Sequence, residues 1–259
     1  MRRATQRLIL LAIGGLAVIV TPALAAAQSG WTVDVGGERS SVTQEGVQSL
    51  WLTGRAQVGW VKPEAGGWFG TVERQTRYGL TDVAFSASGY RRLGAWTIGG
   101  GAGVTPDPSF WFRRSLDAEV SRTVAGTVVA SVGVRQMTFV ATTVRQVQPA
   151  VTWYHSKGEL QARLFVTHNS SREDPSLTLL VVGSVQAPRW IRWSGAVARG
   201  DRIFDVGSLR TGSAPGWTVR GSARVRLAPH LAVEAGAGFA REQPAFEQRT
   251  FTLSLRGTF

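Results

Sequence analysis

Residues Arg249 to Phe259 read Arg-Thr-Phe-Thr-Leu-Ser-Leu-Arg-Gly-Thr-Phe, which sets Phe251, Leu253, Leu255, Gly257 and Phe259 on one face of an extended chain and threonine, serine and Arg256 on the other. Alternation of this kind marks a strand with two unlike faces. Trp217 to Leu227 repeats it, with Trp217, Val219, Gly221, Ala223, Val225 and Leu227 opposite Thr218, Arg220, Ser222, Arg224 and Arg226. A slip of one residue would carry Arg220, Arg224 and Arg226 into the apolar phase, so register is tightly specified. Leu52 to Trp60 alternates in the same way, and so does Phe110 to Ser121, where Arg114 is the exception.

Segments of this type recur at about residues 31–37, 49–61, 68–78, 81–91, 94–104, 110–122, 126–136, 141–154, 159–168, 176–186, 189–198, 216–228, 230–241 and 248–259. The final strand, with its terminal aromatic carboxylate, resembles the closing strand of a bacterial outer-membrane β-barrel. An even number of strands keeps both ends of such a barrel on one side, with short periplasmic turns and longer outer loops. Counted back from a periplasmic Phe259, the turn chemistry of Leu227 to His230, Gln186 to Pro188, Ser156 to Gly158, Val124 to Gly126 and Leu93-Gly94 falls on the periplasmic side. The long polar stretches Arg199 to Pro215, His168 to Pro175 and Glu38 to Gln48 fall on the other, together with two tight connections at Tyr78 to Leu80 and Gln136 to Thr138. The expectation is one antiparallel transmembrane β-barrel of 14 strands, or 12 if those tight connections are not turns. A soluble periplasmic β-sandwich or lipocalin-like binder would also alternate, but it explains neither the one-sided long loops nor the aromatic end.

The beginning of the chain points to the same compartment. Arg2, Arg3 and Arg7 precede an apolar run from Leu8 to Val20, and Ala25-Ala26-Ala27 follows. This is the pattern of a secretory signal peptide with cleavage after Ala27, and the run is short of the roughly 20 residues a helical span needs. Residues 28–259 are then the barrel domain. Cysteine is absent, which removes disulfides, thiolate zinc sites and thiol redox chemistry. The formal charge is +12, and only Lys62 and Lys157 are lysines. In an exported chain such a balance suits anionic lipid and lipopolysaccharide phosphates rather than nucleic acid.

Ten tryptophans stand in the sequence. Trp60, Trp68, Trp96, Trp190 and Trp217 fall near strand ends, where an indole buries its ring and keeps its N–H wet, as in an aromatic girdle. The polar phase directs Arg55, Glu73, Arg77, Asp82, Arg113, Asp117, Glu119, Arg135, Arg163, Arg192, Arg220, Arg224, Arg226, Glu234 and Arg256 toward the lumen. Two readings remain open: a basic, anion-favouring pore, or a closed interior of paired arginines and carboxylates. Catalytic signals are weak. His155, His168 and His230 lack metal-ligand spacing and an oriented partner serine. Asp201, Asp205 and the Glu173-Asp174 pair are loop acids with a conceivable divalent-cation role against lipopolysaccharide phosphates, and more often simply solvated. No cofactor or metal is expected.

The run Val72-Glu73-Arg74-Gln75-Thr76-Arg77-Tyr78-Gly79-Leu80-Thr81-Asp82, followed by Gly89 to Gly94, resembles the YaiO-type outer-membrane β-barrel family, as do Val144 to Tyr154 and the Phe-terminated end. The resemblance implies a monomeric barrel resident in the outer membrane with no well-established enzymatic activity; insertion by the barrel-assembly machinery, with Phe259 as assembly signal, is expected with it. It also marks Glu73, Arg74, Arg77 and Asp82 as paired lumen and rim residues, structural first. Some members carry an N-terminal helical-repeat extension, and some related systems handle envelope polysaccharides; no helical repeat is legible in this chain. The leading expectation is therefore a structural or transport-related barrel with a polar, arginine-rich lumen. The alternatives are a lipid-modifying outer-membrane enzyme and a component of polysaccharide export.

Overall fold

A computed structural model describes residues 29–171, 174–201, 215–242 and 246–259. The signal-peptide residues, Glu173, Asp205 and most of the loop between Arg199 and Pro215 lie outside the described residues. Fourteen antiparallel strands close into one barrel. They are β1 (Gly30–Gln44), β2 (Val47–Lys62), β3 (Gly66–Arg77), β4 (Leu80–Leu93), β5 (Trp96–Val104), β6 (Arg114–Ala125) and β7 (Val128–Thr138), followed by β8 (Thr143–His155), β9 (Gly158–Asn169), β10 (Ser176–Gln186), β11 (Ile191–Asp201), β12 (Pro215–Ala228), β13 (Leu231–Glu242) and β14 (Phe246–Thr258). Each strand pairs with its neighbours in sequence, and β14 pairs with β1 from Thr32↔Thr258 to Gln44↔Phe246. Closure leaves no unpaired edge, the condition for spanning a lipid phase with strands. The count settles on fourteen rather than twelve.

The faces follow the alternation. On β14, Phe251, Leu253 and Leu255 are exposed on the outside while Gln248 and Thr250 are buried within. On β1, Trp31, Val33 and Val35 face out, and Asp34, Glu38, Ser40 and Val42 face in. An outward apolar run such as Leu231 to Phe239 measures about 27 Å along the strand, enough for a hydrocarbon layer once strand tilt is allowed for.

The structure differs from the sequence reading at several places, among them the end of β11, which takes in Arg199 to Asp201 from the expected outer loop. Glu38 to Gln48 is no long loop, because β1 runs to Gln44 and turns through Glu45 and Gly46, both at positive φ (51° and 82°), into β2. The reason is physical: Arg39, Ser41 and Thr43 point outward above the apolar band while the apolar Val42 points inward among polar residues, so the alternation signal vanishes while pairing continues. Conversely, Phe110 to Arg113 is not strand, since residues 105–113 form the connection between β5 and β6. Pro106 and Pro108, which cannot donate to a ladder, end β5 there. Finally, β7 continues through Gln136 to Thr138, and its connection to β8 is 139–142.

Candidate functional site

Residues 105–113 turn back into the barrel, and Asp82 holds them. Its inward-facing side chain on β4 is 2% exposed. The carboxylate accepts backbone N–H groups of Ser109 (2.9 and 3.1 Å), Phe110 (3.0 Å) and Trp111 (2.9 Å). Hydrogen bonds to a charged acceptor are among the strong ones. At the base of the connection, Thr105 N–H donates to the Arg113 carbonyl and Arg113 N–H to that of Thr138.

Phe112 is thereby seated against Ala84, Met137 and Val144, flanked by Trp111 and Phe139. The bare backbone of Gly103 makes the room: a Cβ there would stand 3.2 Å from the Phe112 ring. Two further apolar clusters line the same half of the interior, Val42–Trp51–Phe246 and Phe165–Leu180–Ala198. The Arg77 guanidinium joins the first of these to the connection, lying 4.4 Å from the Trp51 ring and 5.4 Å from that of Phe110. Three buried apolar clusters thus line this end, which is opposite the chain termini.

Below this layer the interior is polar. Arg163 of β9 pairs with Glu119 of β6 at 2.9 Å and donates to Gln148 at 3.0 Å. Gln148 in turn donates to Gln146 and Gln146 to Thr167. On the opposite wall Arg220 of β12 approaches Glu38 of β1 at 3.5 Å, and Glu38 accepts from Ser40. Each pair reaches over an intervening glycine: a Cβ on Gly133 would lie 3.3 Å from Glu119, and one on Gly238 would lie 2.8 Å from Arg220. Nearer the termini, Arg224–Glu234 (2.6 Å), Arg256–Asp34 (3.0 Å) and Arg192–Glu159 (2.8 Å) link neighbouring parts of the wall. The wall between β4 and β5 carries small residues at its middle. Ser86 and Ser88 point inward yet are exposed, and Gly99, Gly101 and Gly103 present no side chain beside them.

Most residues selected from the sequence fall where alternation puts them. Arg55, Glu73, Arg77, Asp82, Asp117, Glu119, Arg135, Arg163, Arg192, Arg220, Arg224, Arg226, Glu234 and Arg256 share the inward phase, and Glu73 accepts a hydrogen bond from Gln75. Arg74 does not join them: it pairs in register with Gly54 and Val83 on the outer face. Arg113 is exposed in the connection rather than in the lumen. Asp34, Glu38 and Glu159 are additional inward acids, so the arginines of the interior are more nearly matched than the sequence count suggests. Glu38 was hidden by the loop assignment, and Trp51 and Phe112 by being apolar in the inward phase.

Trp60, Trp68, Trp96 and Trp190 stand at the end that carries the termini, with Trp31, Trp153 and Trp193 beside them, whereas Trp217 stands at the opposite end. Trp31 and Trp68 pack edge to face at 5.5 Å. Phe259 closes the seam by exchanging backbone hydrogen bonds with Trp31 at 2.9 Å each. His155 and His230 lie at the terminal end and His168 on the outside of β9. Among the described residues, no three His, Cys, Asp or Glu side chains are grouped to hold a metal.

Solved structures share this closed-barrel architecture. The CymD monoaromatic hydrocarbon channel superposes with a TM-score of 0.70 at 7% identity, covering 96% of this chain and 94% of the other. The anion-selective porin from Comamonas acidovorans gives 0.51 at 10% identity over 90% and 100% of the two chains. A loop-deletion mutant of OmpT, an outer membrane protein of Vibrio cholerae, gives 0.52 at 8% over 90% and 99%. At such identities the likeness is one of fold. No curated protein sequence matches the chain at a significant level. The family profile of the YaiO membrane β-barrel domain matches residues 33–189, more than half of the chain, and the protein belongs to that family.

Proposed function

We propose that this outer-membrane β-barrel is a channel held closed at its outer end by the inward-folded connection 105–113. The carrying observation is the grip of the Asp82 carboxylate on three successive backbone N–H groups, which seats Phe112 inside the barrel while Ser86 and Ser88 farther in stay exposed. Release of that grip would vacate the space beside Gly103. The passage would be aromatic and aliphatic at its outer end and lined with paired charges below, which suits small, weakly polar solutes better than ions. The likeness in fold to a hydrocarbon channel and a porin supports a channel. Export by residues 1–27, insertion by the barrel-assembly machinery through Phe259, and a monomeric state complete the proposal. A catalytic role has no comparable support, since His155, His168 and His230 are dispersed between the two ends.

Uptake into liposomes tests the proposal. Vesicles containing the protein with Asp82→Asn should admit a small aromatic alcohol faster than vesicles containing the unaltered barrel. Equal uptake by both, or none above empty vesicles, would remove the basis for a gated channel.

A further inference from the structure

The arginines that point outward are unevenly placed. At the end opposite the termini, Arg199 of β11, Arg241 of β13, Arg249 of β14 and Arg39 of β1 all stand exposed on the outer face. In register, Arg249 lies opposite Ser41 and Arg39 opposite Phe251, so these two are diagonal neighbours. Arg249 and Arg241 are related in the same way through Phe239 and Glu247. Diagonal neighbours are separated by roughly 7–8 Å, within the joint reach of two arginine side chains. Trp217, opposite both Arg199 and Arg241, packs on Phe239 with ring centroids 5.2 Å apart. Cationic side chains therefore stand directly beside an aromatic, lipid-facing pair.

Charge balance strengthens the case. Glu247 approaches Arg241 at 3.8 Å, both partly exposed, whereas Arg39, Arg199 and Arg249 have no acidic partner among the described residues. Both lysines, Lys62 and Lys157, stand at the other end of the barrel. A guanidinium fork matches phosphate oxygens two at a time, which an ammonium does not. An isolated outward arginine would be an ordinary rim residue. Four on β11 to β1, beside packed aromatics, form a surface with two parts: one for phosphate and one for acyl chains.

We propose that this surface binds a phosphorylated glycolipid of the outer leaflet, the arginines gripping its phosphates and Trp217 and Phe239 its chains. The inference rests on the outer-membrane orientation adopted above, with the termini in the periplasm. It is independent of whether the lumen conducts.

Native mass spectrometry of the full detergent-purified barrel, incubated in parallel with lipid A, its dephosphorylated counterpart and phosphatidylglycerol, tests it. The expected result is selective retention of lipid A, reduced at least about tenfold by Arg39→Gln/Arg241→Gln/Arg249→Gln, the loss anticipated for several charge-assisted contacts. Arg145→Gln, on the far side and already bonded to Gln136, should leave retention unchanged. Undiminished retention by the triple variant, or equal retention of the dephosphorylated lipid or of phosphatidylglycerol, would overturn the proposal. Should the triple variant fail to fold, Arg249→Gln alone decides: a severalfold loss supports the site and no loss refutes it. Solute uptake by the same variant separates this outcome from failure of the channel reading, because the lumen is untouched.

Discussion

Arg163 of β9 meets Glu119 of β6 at 2.9 Å across the two strands between them, and Gly133 on β7 leaves the room for that contact. The pair is 6% and 13% exposed, so neither charge has water as a full substitute for the other. Such a tie links distant parts of the wall, whereas backbone pairing links only adjacent strands.

Removing one partner should therefore be costly. Arg163→Ala is expected to destabilise the barrel by about 3 kcal/mol, because it strands a buried carboxylate. Arg163→Gln combined with Glu119→Gln should recover much of the loss by leaving no lone charge. Equilibrium urea unfolding in short-chain lipid vesicles measures both.

The glycine beneath Phe112 offers a steric test. A Cβ at position 103 would come within 2.7 Å of the Ser115 hydroxyl and 3.2 Å of the Phe112 ring. Gly103→Val should push Phe112 out and loosen the connection, whose Arg113, with Arg114 at the start of β6, is an exposed trypsin site. Cleavage after these residues is expected to accelerate at least about tenfold, the rate change that corresponds to losing a strong hydrogen bond or more. An unchanged digestion rate would mean that the connection tolerates the displacement.

Depth in the membrane can be read from one strand. Leu253 is exposed in the middle of the outer face of β14, opposite Gly37 and Ala235, whereas Arg249 lies four residues nearer the end opposite the termini. Leu253→Arg should destabilise the barrel by about 3 kcal/mol in vesicles, as expected for a charge near the midplane. Arg249→Leu should change stability much less. Similar effects at both positions would contradict the placement of the apolar band.

Much of this architecture was legible because the alternation and the lipid-facing surface share one physical cause. Leu52 to Trp60 and Trp217 to Leu227 carry apolar side chains on the outer face wherever that face meets lipid. Beyond the band the rule lapses: Arg39 and Ser41 face out, Val42 and Trp51 face in, and both strands continue unseen. Asp82 was identifiable as an inward acid, but its partners are backbone N–H groups 27 to 29 residues away, and no side-chain pattern encodes them. Thr105-Pro106-Asp107-Pro108-Ser109 was the available signal that a strand could not run through this region. It does not say that the connection folds inward. That outcome depends on Phe112 meeting Ala84 of β4, Met137 of β7 and Val144 of β8, contacts made only once these strands are assembled.

On the proposed reading, the Asp82 grip on 105–113 closes the outer end. Planar-bilayer recording of the unaltered barrel beside the Asp82→Asn variant tests it most directly. A closed baseline with rare openings is expected for the unaltered protein, and frequent, long openings for the variant. Steady open conductance of equal size in both, or a variant as silent as the unaltered barrel while folded, would contradict it.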